Sequence, residues 1–154
     1  MKVLIADDHP LTLQGTVAYV ESLGHTVIHA CSNGTAAWNA VQIQKPDVVV
    51  LDLNMPGLDG LEVAQKIIDY RLRIHVIVLT MHNEISLLRK AKELGIQGYI
   101  LKEKAFPDLA HCFEALTKQQ PYFSPALDVN YRIDSAHEMD PLNAFTLSEK
   151  KIVE

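Results

Sequence analysis

The chain has 154 residues, 48% of them apolar, which suits one ordinary core plus a tail. A formal net charge of −5 does not suit a nucleic-acid binder by itself, and Cys31 and Cys112, far apart and in no CxxC pair, read as free buried thiols in a reducing cytoplasm. The apolar run after Met1-Lys2 is too short for a signal peptide, and no run approaches the roughly 18 residues of a membrane span.

Val3-Leu4-Ile5-Ala6 reads as a buried strand that ends in Asp7-Asp8. His9-Pro10 follows, with Pro10 suited to the first position of a helix. Leu13, Val17, Val20 and Leu23 recur at helical spacing, and Gly24 is a natural stop. His25 to Cys31 is a second strand. Asn33 caps a second helix that buries Ala37, Ala40 and Val41, with Trp38 off that stripe and half-exposed. Pro46 breaks the chain. Val48-Val49-Val50-Leu51 is apolar on consecutive positions, as in a strand covered on both faces, and it ends on Asp52. Pro56 and Gly57 close that element, and Asp59-x-x-Glu62 is a capping box opening a third helix. Ile74 to Leu79 is a fourth strand ending at Thr80. Asn83 caps a helix that stops at Gly95, and Gln97 to Leu101 is a short fifth strand ending at Lys102. Phe106-Pro107-Asp108 starts a fifth helix with Leu109, Cys112, Phe113 and Leu116 on one face.

Five βα units with short connections predict a doubly wound parallel sheet, (βα)5, in strand order 2-1-3-4-5. The two most hydrophobic strands then lie side by side at a topological switch point, where open α/β sheets bind ligands. From Pro121 to Asn143 three prolines and scattered polar residues break any period and read as a linker. Thr146-x-x-Glu149 is a further capping box, opening a helix that the chain end cuts off.

Four strand ends thus deliver Asp7 and Asp8, Asp52, Thr80 and Lys102 to one edge. Carboxylates about 5 Å apart repel by roughly 3 kcal/mol per pair at an effective dielectric near 20, so cations are needed. Lys102 can serve one side and a divalent ion the other. Hard oxygen donors suit Mg²⁺. Asp8 and Asp52 are its direct ligands in this reading, with Asp7 through water and the Asn54 backbone carbonyl as a third protein ligand. A carboxylate beside such an ion is a competent nucleophile toward phosphorus. Lys102 would neutralise the transferring oxygens and Thr80 would offer its hydroxyl to one of them.

At these residues the chain resembles the receiver domain of bacterial two-component response regulators. The matching pieces are Asp7-Asp8, Asp52 with Met55-Pro56-Gly57 and Asp59-Gly60, Thr80, and Lys102. The resemblance spans roughly residues 1–120. It implies a flavodoxin-like fold, Mg²⁺, and phosphorylation of Asp52 by a histidine kinase or phosphotransfer partner. It also implies a switch in which Tyr99 turns inward as Thr80 moves toward the phosphoryl group, and homodimerisation on phosphorylation. Asp8-His9-Pro10 and the linker further resemble the NarL-like subgroup with a LuxR-type helix-turn-helix. Phe145 to Val153 is similar to the start of that domain, so residues 121–143 are the expected linker and 144–154 a truncated domain. DNA contact would then belong to the missing part, and the protein would be a cytoplasmic signalling module, not a membrane protein or a dedicated enzyme.

One departure concerns Met81, where the family commonly has a small residue. Met81 and His82 are expected to form an access gate that slows phosphorylation and hydrolysis. Two alternatives use other chemistry. A haloacid-dehalogenase-type phosphohydrolase also combines Asp, Mg²⁺, Thr and Lys, but needs Asp-x-Asp on strand one, where this chain has contiguous Asp7-Asp8. A receiver-like interaction module that never takes phosphate would not need every acidic, hydroxyl and amine position.

Overall fold

A computed structural model describes residues 1–81, 85–125 and 127. The elements are β1 (Lys2–Ala6), α1 (Pro10–Ser22), β2 (Thr26–Cys31), α2 (Gly34–Gln44), β3 (Val48–Asp52) and α3 (Gly60–Asp69). They continue with β4 (His75–Thr80), α4 (Ile85–Leu94), β5 (Gly98–Leu101), α5 (Ala105–Thr117) and β6 (Tyr122–Phe123). The sheet order is β2-β1-β3-β4-β5-β6, and every pairing is parallel. This is the doubly wound topology expected from the sequence, extended by one short strand beyond β5.

Every residue of β3 is buried, as its unbroken apolar run requires of a strand covered on both faces. Alternation along the strands sorts the core into two layers. Val3, Ile5, Val48, Val50, Ile77, Leu79 and Ile100 pack on α1 and α5, through Val20, Leu109 and Phe113. Leu4, Val49, Leu51, Val78 and Tyr99 pack on α2, α3 and α4, through Val41, Val63 and Leu88. Fully burying one such Val or Leu contributes about 2 kcal/mol, so the hydrophobic pattern sets the strand register.

Local signals set the helix starts. Asn33 Oδ1 accepts from Ala36 N at 2.7 Å, capping α2. At α3 both halves of the capping box form: Glu62 N donates to Asp59 Oδ1 at 2.8 Å, and Asp59 N donates to Glu62 Oε1 at 2.9 Å. Pro10 opens α1, where no side chain caps the first turn. The Asn83 cap lies outside the described residues.

Trp38 departs from expectation. It is buried at 9% exposure rather than half-exposed. Tyr70, just past α3, meets its ring edge-on with centroids 5.0 Å apart. A neighbouring helix supplies the cover that the periodicity of α2 alone does not show. Of the thiols, Cys112 is buried and Cys31 partly so. Among the described residues no helix is long and apolar enough to cross a membrane.

Candidate functional site at the carboxyl rim of the sheet

β1 ends at Ala6, so Asp7 and Asp8 lie past the strict alternation of the strand and both reach one pocket. Asp52 is the last residue of β3 and follows Val48 and Val50 onto the α1/α5 side. Asp7 stands just past the end of β1, and Lys102 opens a short 3-10 turn just past the end of β5. The three meet because parallel strands end at one edge of the sheet, not because they are near in sequence. Thr80 has the parity opposite to that of Asp52. It falls with Val76 and Val78 on the side that also holds Tyr99.

The distances follow from this placement. Lys102 Nζ donates to Asp52 Oδ2 at 3.2 Å and lies 3.1 Å from Asp7 Oδ2. The side chains of Lys102, Asp7 and Asp52 are 9%, 1% and 4% exposed, so water does little to screen them. Asp8 is half-buried at the mouth. Asn54 N donates a long bond, 3.4 Å, to Asp52 Oδ1. Thr80 is fully buried at the end of β4, one residue past Leu79, the partner of Asp52 in the ladder. Tyr99 is also fully buried, so its ring lies inward in this structure. Met81 is 71% exposed just beyond Thr80, and His82 lies outside the described residues.

The sequence reading passed over His9. Its Nδ1 lies 3.1 Å from Asp7 Oδ1, 3.2 Å from Asp8 Oδ1 and 3.6 Å from Asp52 Oδ2. It also lies 3.2 Å from Lys102 Nζ. The Asp8-His9-Pro10 string places His9 just ahead of the helix start, but nothing in it fixes the direction of the ring. That direction is set by Asp7, whose Oδ1 also accepts from His9 N at 2.9 Å.

Burial first, and then the charge of Asp7, push the Asp52 carboxyl up to about 6, while Lys102 acts in the opposite sense. The pocket is thus short of positive charge. Asp7 Oδ2 and Asp8 Oδ1 are buried oxygens whose near neighbours are the Lys102 ammonium and the His9 ring. One ligand atom from each of Asp7, Asp8, His9 and Asp52 fits within 4.8 Å of the others. Three carboxylates clustered at this range, with one ammonium between them, suit a hard divalent cation.

The loop after β3 is fixed from outside. Leu53 N donates to Leu79 O at 2.8 Å, and Gly60 N donates to Leu53 O at 2.9 Å. Gly34, at the start of α2, donates its N–H to Pro56 O at 3.1 Å. A Cβ on Gly34 would lie 1.7 Å from Leu58 O, so only glycine permits this approach.

A parallel α/β sheet with an acidic, lysine-backed pocket at its switch point defines a class of phosphoryl-handling folds. Residues 3–114 match the response regulator receiver domain, and the chain belongs to that family. Its relatives include a probable transcriptional regulatory protein NarL from Mycobacterium tuberculosis, 30% identical over 128 residues, covering 82% of this chain and 59% of the relative. The chain therefore spans little more than half the length of that regulator. A LuxR-family two-component response regulator from Aurantimonas superposes with a TM-score of 0.82 at 26% identity, covering 88% of this chain and 97% of that one. The isolated receiver domain of RcsB from Salmonella enterica, solved with a phosphomimetic beryllofluoride, gives 0.78 at 32% identity, covering 83% and 96%. The chain is thus a receiver domain homologous to NarL/LuxR-type transcriptional regulators of two-component systems. Receiver domains are generally not enzymes in the ordinary sense. Family membership sets the phosphohydrolase alternative aside.

Proposed function

We propose that Asp52 accepts a phosphoryl group from a histidine kinase or phosphotransfer protein, and that this modification switches the chain. The observation that carries the reading is Lys102 Nζ, 3.2 Å from Asp52 Oδ2 among three carboxylates. An Asp52 oxygen attacks phosphorus, a new P–O bond forms, and the bond from phosphorus to the donor breaks with its electron pair leaving on the donor. Lys102 balances charge on the transferring oxygens, and the Thr80 hydroxyl hydrogen-bonds one of them.

Asp8, Asp52 and the Asn54 carbonyl would hold Mg²⁺ directly and Asp7 through water, with His9 a neighbour, since hard ions take oxygen before imidazole. When bound, the ion supplies charge neutralisation at the transferring phosphoryl group. Thr80 and Tyr99 share a strand parity, so movement of the Thr80 hydroxyl toward the modified Asp52 would alter packing around the Tyr99 ring. The expected boundary at residue 120 falls ahead of β6, which is part of the sheet; in this reading the rest of 121–143 joins the receiver to a further domain, and 144–154 begin a helix-turn-helix. Phosphorylation would favour a homodimer in the cytoplasm, with DNA bound only through that further domain.

The test is intact mass after incubation with a small acyl-phosphate donor and Mg²⁺. One phosphoryl group per chain is expected, labile to base and lost slowly in water. No incorporation by a folded chain that binds Mg²⁺ would overturn the reading.

Met81 and His82 form an access gate in this reading. Met81→Ala is expected to speed both phosphorylation and loss of the label, because a bulky side chain next to Thr80 would shield the mouth from donor and water alike. The two rates are read from the same mass time course. Rates unchanged in the variant would remove the gate.

A further inference from the structure

The segment after α5 is tied into the sheet at specific atoms. Tyr122 N donates to Gln97 O at 2.8 Å, and Ser124 N donates to Tyr99 O at 3.0 Å. Phe123 packs on the α2–α4 side of the core, with Lys92 Nζ 4.2 Å from its ring centroid. Leu127 is buried in the same layer. Composition reads these residues as the start of a linker, yet they are docked as part of the domain.

The polar contacts are more informative than the strand. Asp108, in the first turn of α5, is 7% exposed. Its Oδ1 accepts from the Tyr122 hydroxyl at 2.8 Å and its Oδ2 from the Ser124 hydroxyl at 2.6 Å. Ser124 Oγ, itself buried, accepts from Leu101 N at 2.9 Å. A buried carboxylate needs hydrogen-bond donors, and both of these hydroxyls come from the segment after α5. Leu101 is the residue immediately before Lys102. Its N–H is therefore anchored where β5 hands over to the turn that carries Lys102 to Asp52.

We propose that Tyr122–Ser124 is a coupling strand, and that Asp108 and Ser124 are positioning residues that hold Leu101 and so aim Lys102 at Asp52. This deepens the phosphoryl-acceptor reading and rests on it. One strand thus contacts the backbone at both Tyr99, through its carbonyl, and Leu101, through its N–H. Coupling between sites is reciprocal. If docking of this strand favours the Lys102–Asp52 arrangement, a phosphoryl group held by Lys102 must shift strand docking by the same factor. The site would then act directly on the backbone that leads out of the domain, beside any rearrangement of Thr80 and Tyr99.

The experiment uses the full chain with Mg²⁺. Labelling by a small acyl-phosphate donor is followed by intact mass, and amide hydrogen exchange is read at Leu101 and Ser124 with and without beryllofluoride. Ser124→Ala and Asp108→Asn are expected to weaken beryllofluoride binding about 5-fold or more, and to slow labelling. Ser124→Thr, which keeps the hydroxyl, should restore the rate. In the parent chain the phosphoryl mimic should change exchange at both amides, a readout that needs no variant to fold. A labelled parent whose two amides ignore the mimic, with both variants labelling at the parental rate, overturns the coupling alone. A folded parent that takes no label overturns the acceptor reading beneath it.

Discussion

Replacing Asp52 by asparagine is expected to abolish phosphoryl incorporation and, in the same protein, to raise the melting temperature at neutral pH. The first effect follows from replacing the attacking carboxylate by a neutral, weakly nucleophilic amide. The second follows from the environment that makes Asp52 reactive. Burial and the Asp7 charge lift its carboxyl from 3.8 to about 6 in the folded chain. The folded state therefore holds the proton more tightly than the unfolded chain does. An acid shifted upward is stabilising when protonated and costs stability when ionised. Relative to acid conditions, that cost grows as pH rises through the window from about 4 to 6, reaching about 3 kcal/mol at about 1.4 kcal/mol per pH unit. Asp52→Asn removes the charge, so its stability advantage should be largest near pH 8 and should fade as pH drops through that window. Added Mg²⁺ should narrow the gap, because the cation would bind the parent more tightly than a variant that lacks the Asp52 charge. Thermal melts in chelator across this pH range check the sign. An asparagine variant less stable than the parent near pH 8 would mean that Lys102 already balances the pocket.

Gly34→Ala is expected to be the most damaging single methyl outside the pocket. Its Cβ would sit 1.7 Å from Leu58 O and 2.5 Å from Leu58 C, which are backbone atoms with no rotamer to escape into. Either α2 or the loop after β3 must move. Such overpacking costs typically 1–3 kcal/mol and occasionally more. Because the loop carries Asn54 two residues past Asp52, Mg²⁺ affinity should fall along with stability. Gly24→Ala is the contrast: φ is +96° there, yet nothing lies within 4 Å of the added methyl. It should cost only the backbone term, roughly 1–2 kcal/mol, and leave Mg²⁺ binding unchanged. Urea midpoints and a calorimetric Mg²⁺ titration of the two variants separate a positioning effect from general loss of stability. Equal Mg²⁺ affinity in the folded Gly34→Ala chain would show that the loop does not depend on α2.

These two residues report different kinds of design. Asp52 sits in a pocket whose burial and acidic neighbour disfavour its ionised form, and that deficit is what a bound cation can relieve. Gly34 has no chemistry, but it lets the helix start of α2 hold the loop that would supply the ion with a carbonyl.

Much of the architecture lay in local patterns that depend on few neighbours. Val48 to Leu51 had to be covered on both faces because no residue in the run tolerates water well, and β3 is indeed wholly buried. Asp59 and Glu62 cap each other across three residues, a contact within one helical turn. Parallel strands then oblige the crossovers, and with them the common edge to which Asp7, Asp8, Asp52 and Lys102 are brought. What escaped the sequence was set by atoms far along the chain. Trp38 is buried because Tyr70 covers it. His9 takes its place in the site because Asp52 and Lys102, brought in from distant strand ends, lie beside its ring. Tyr122–Phe123 is too short to show a period, and it is a strand because Asp108 and the free edge of β5 receive it.

The order of residues by itself determined that this chain would be a doubly wound parallel α/β fold, since strand burial, turn chemistry and helix caps are decided within a few positions, and the resemblance at Asp7-Asp8, Asp52, Thr80 and Lys102 pointed to a receiver domain. Only the folded molecule decided which side chains meet: Asp7, Asp52 and Lys102 at one edge of the sheet, Tyr70 against Trp38, and Ser124 against Leu101. The physical reason is range. Propensity and capping act over one turn or one strand, whereas charge, close contact and hydrogen bonds between strand ends exist only once the sheet has brought those ends within a few ångströms.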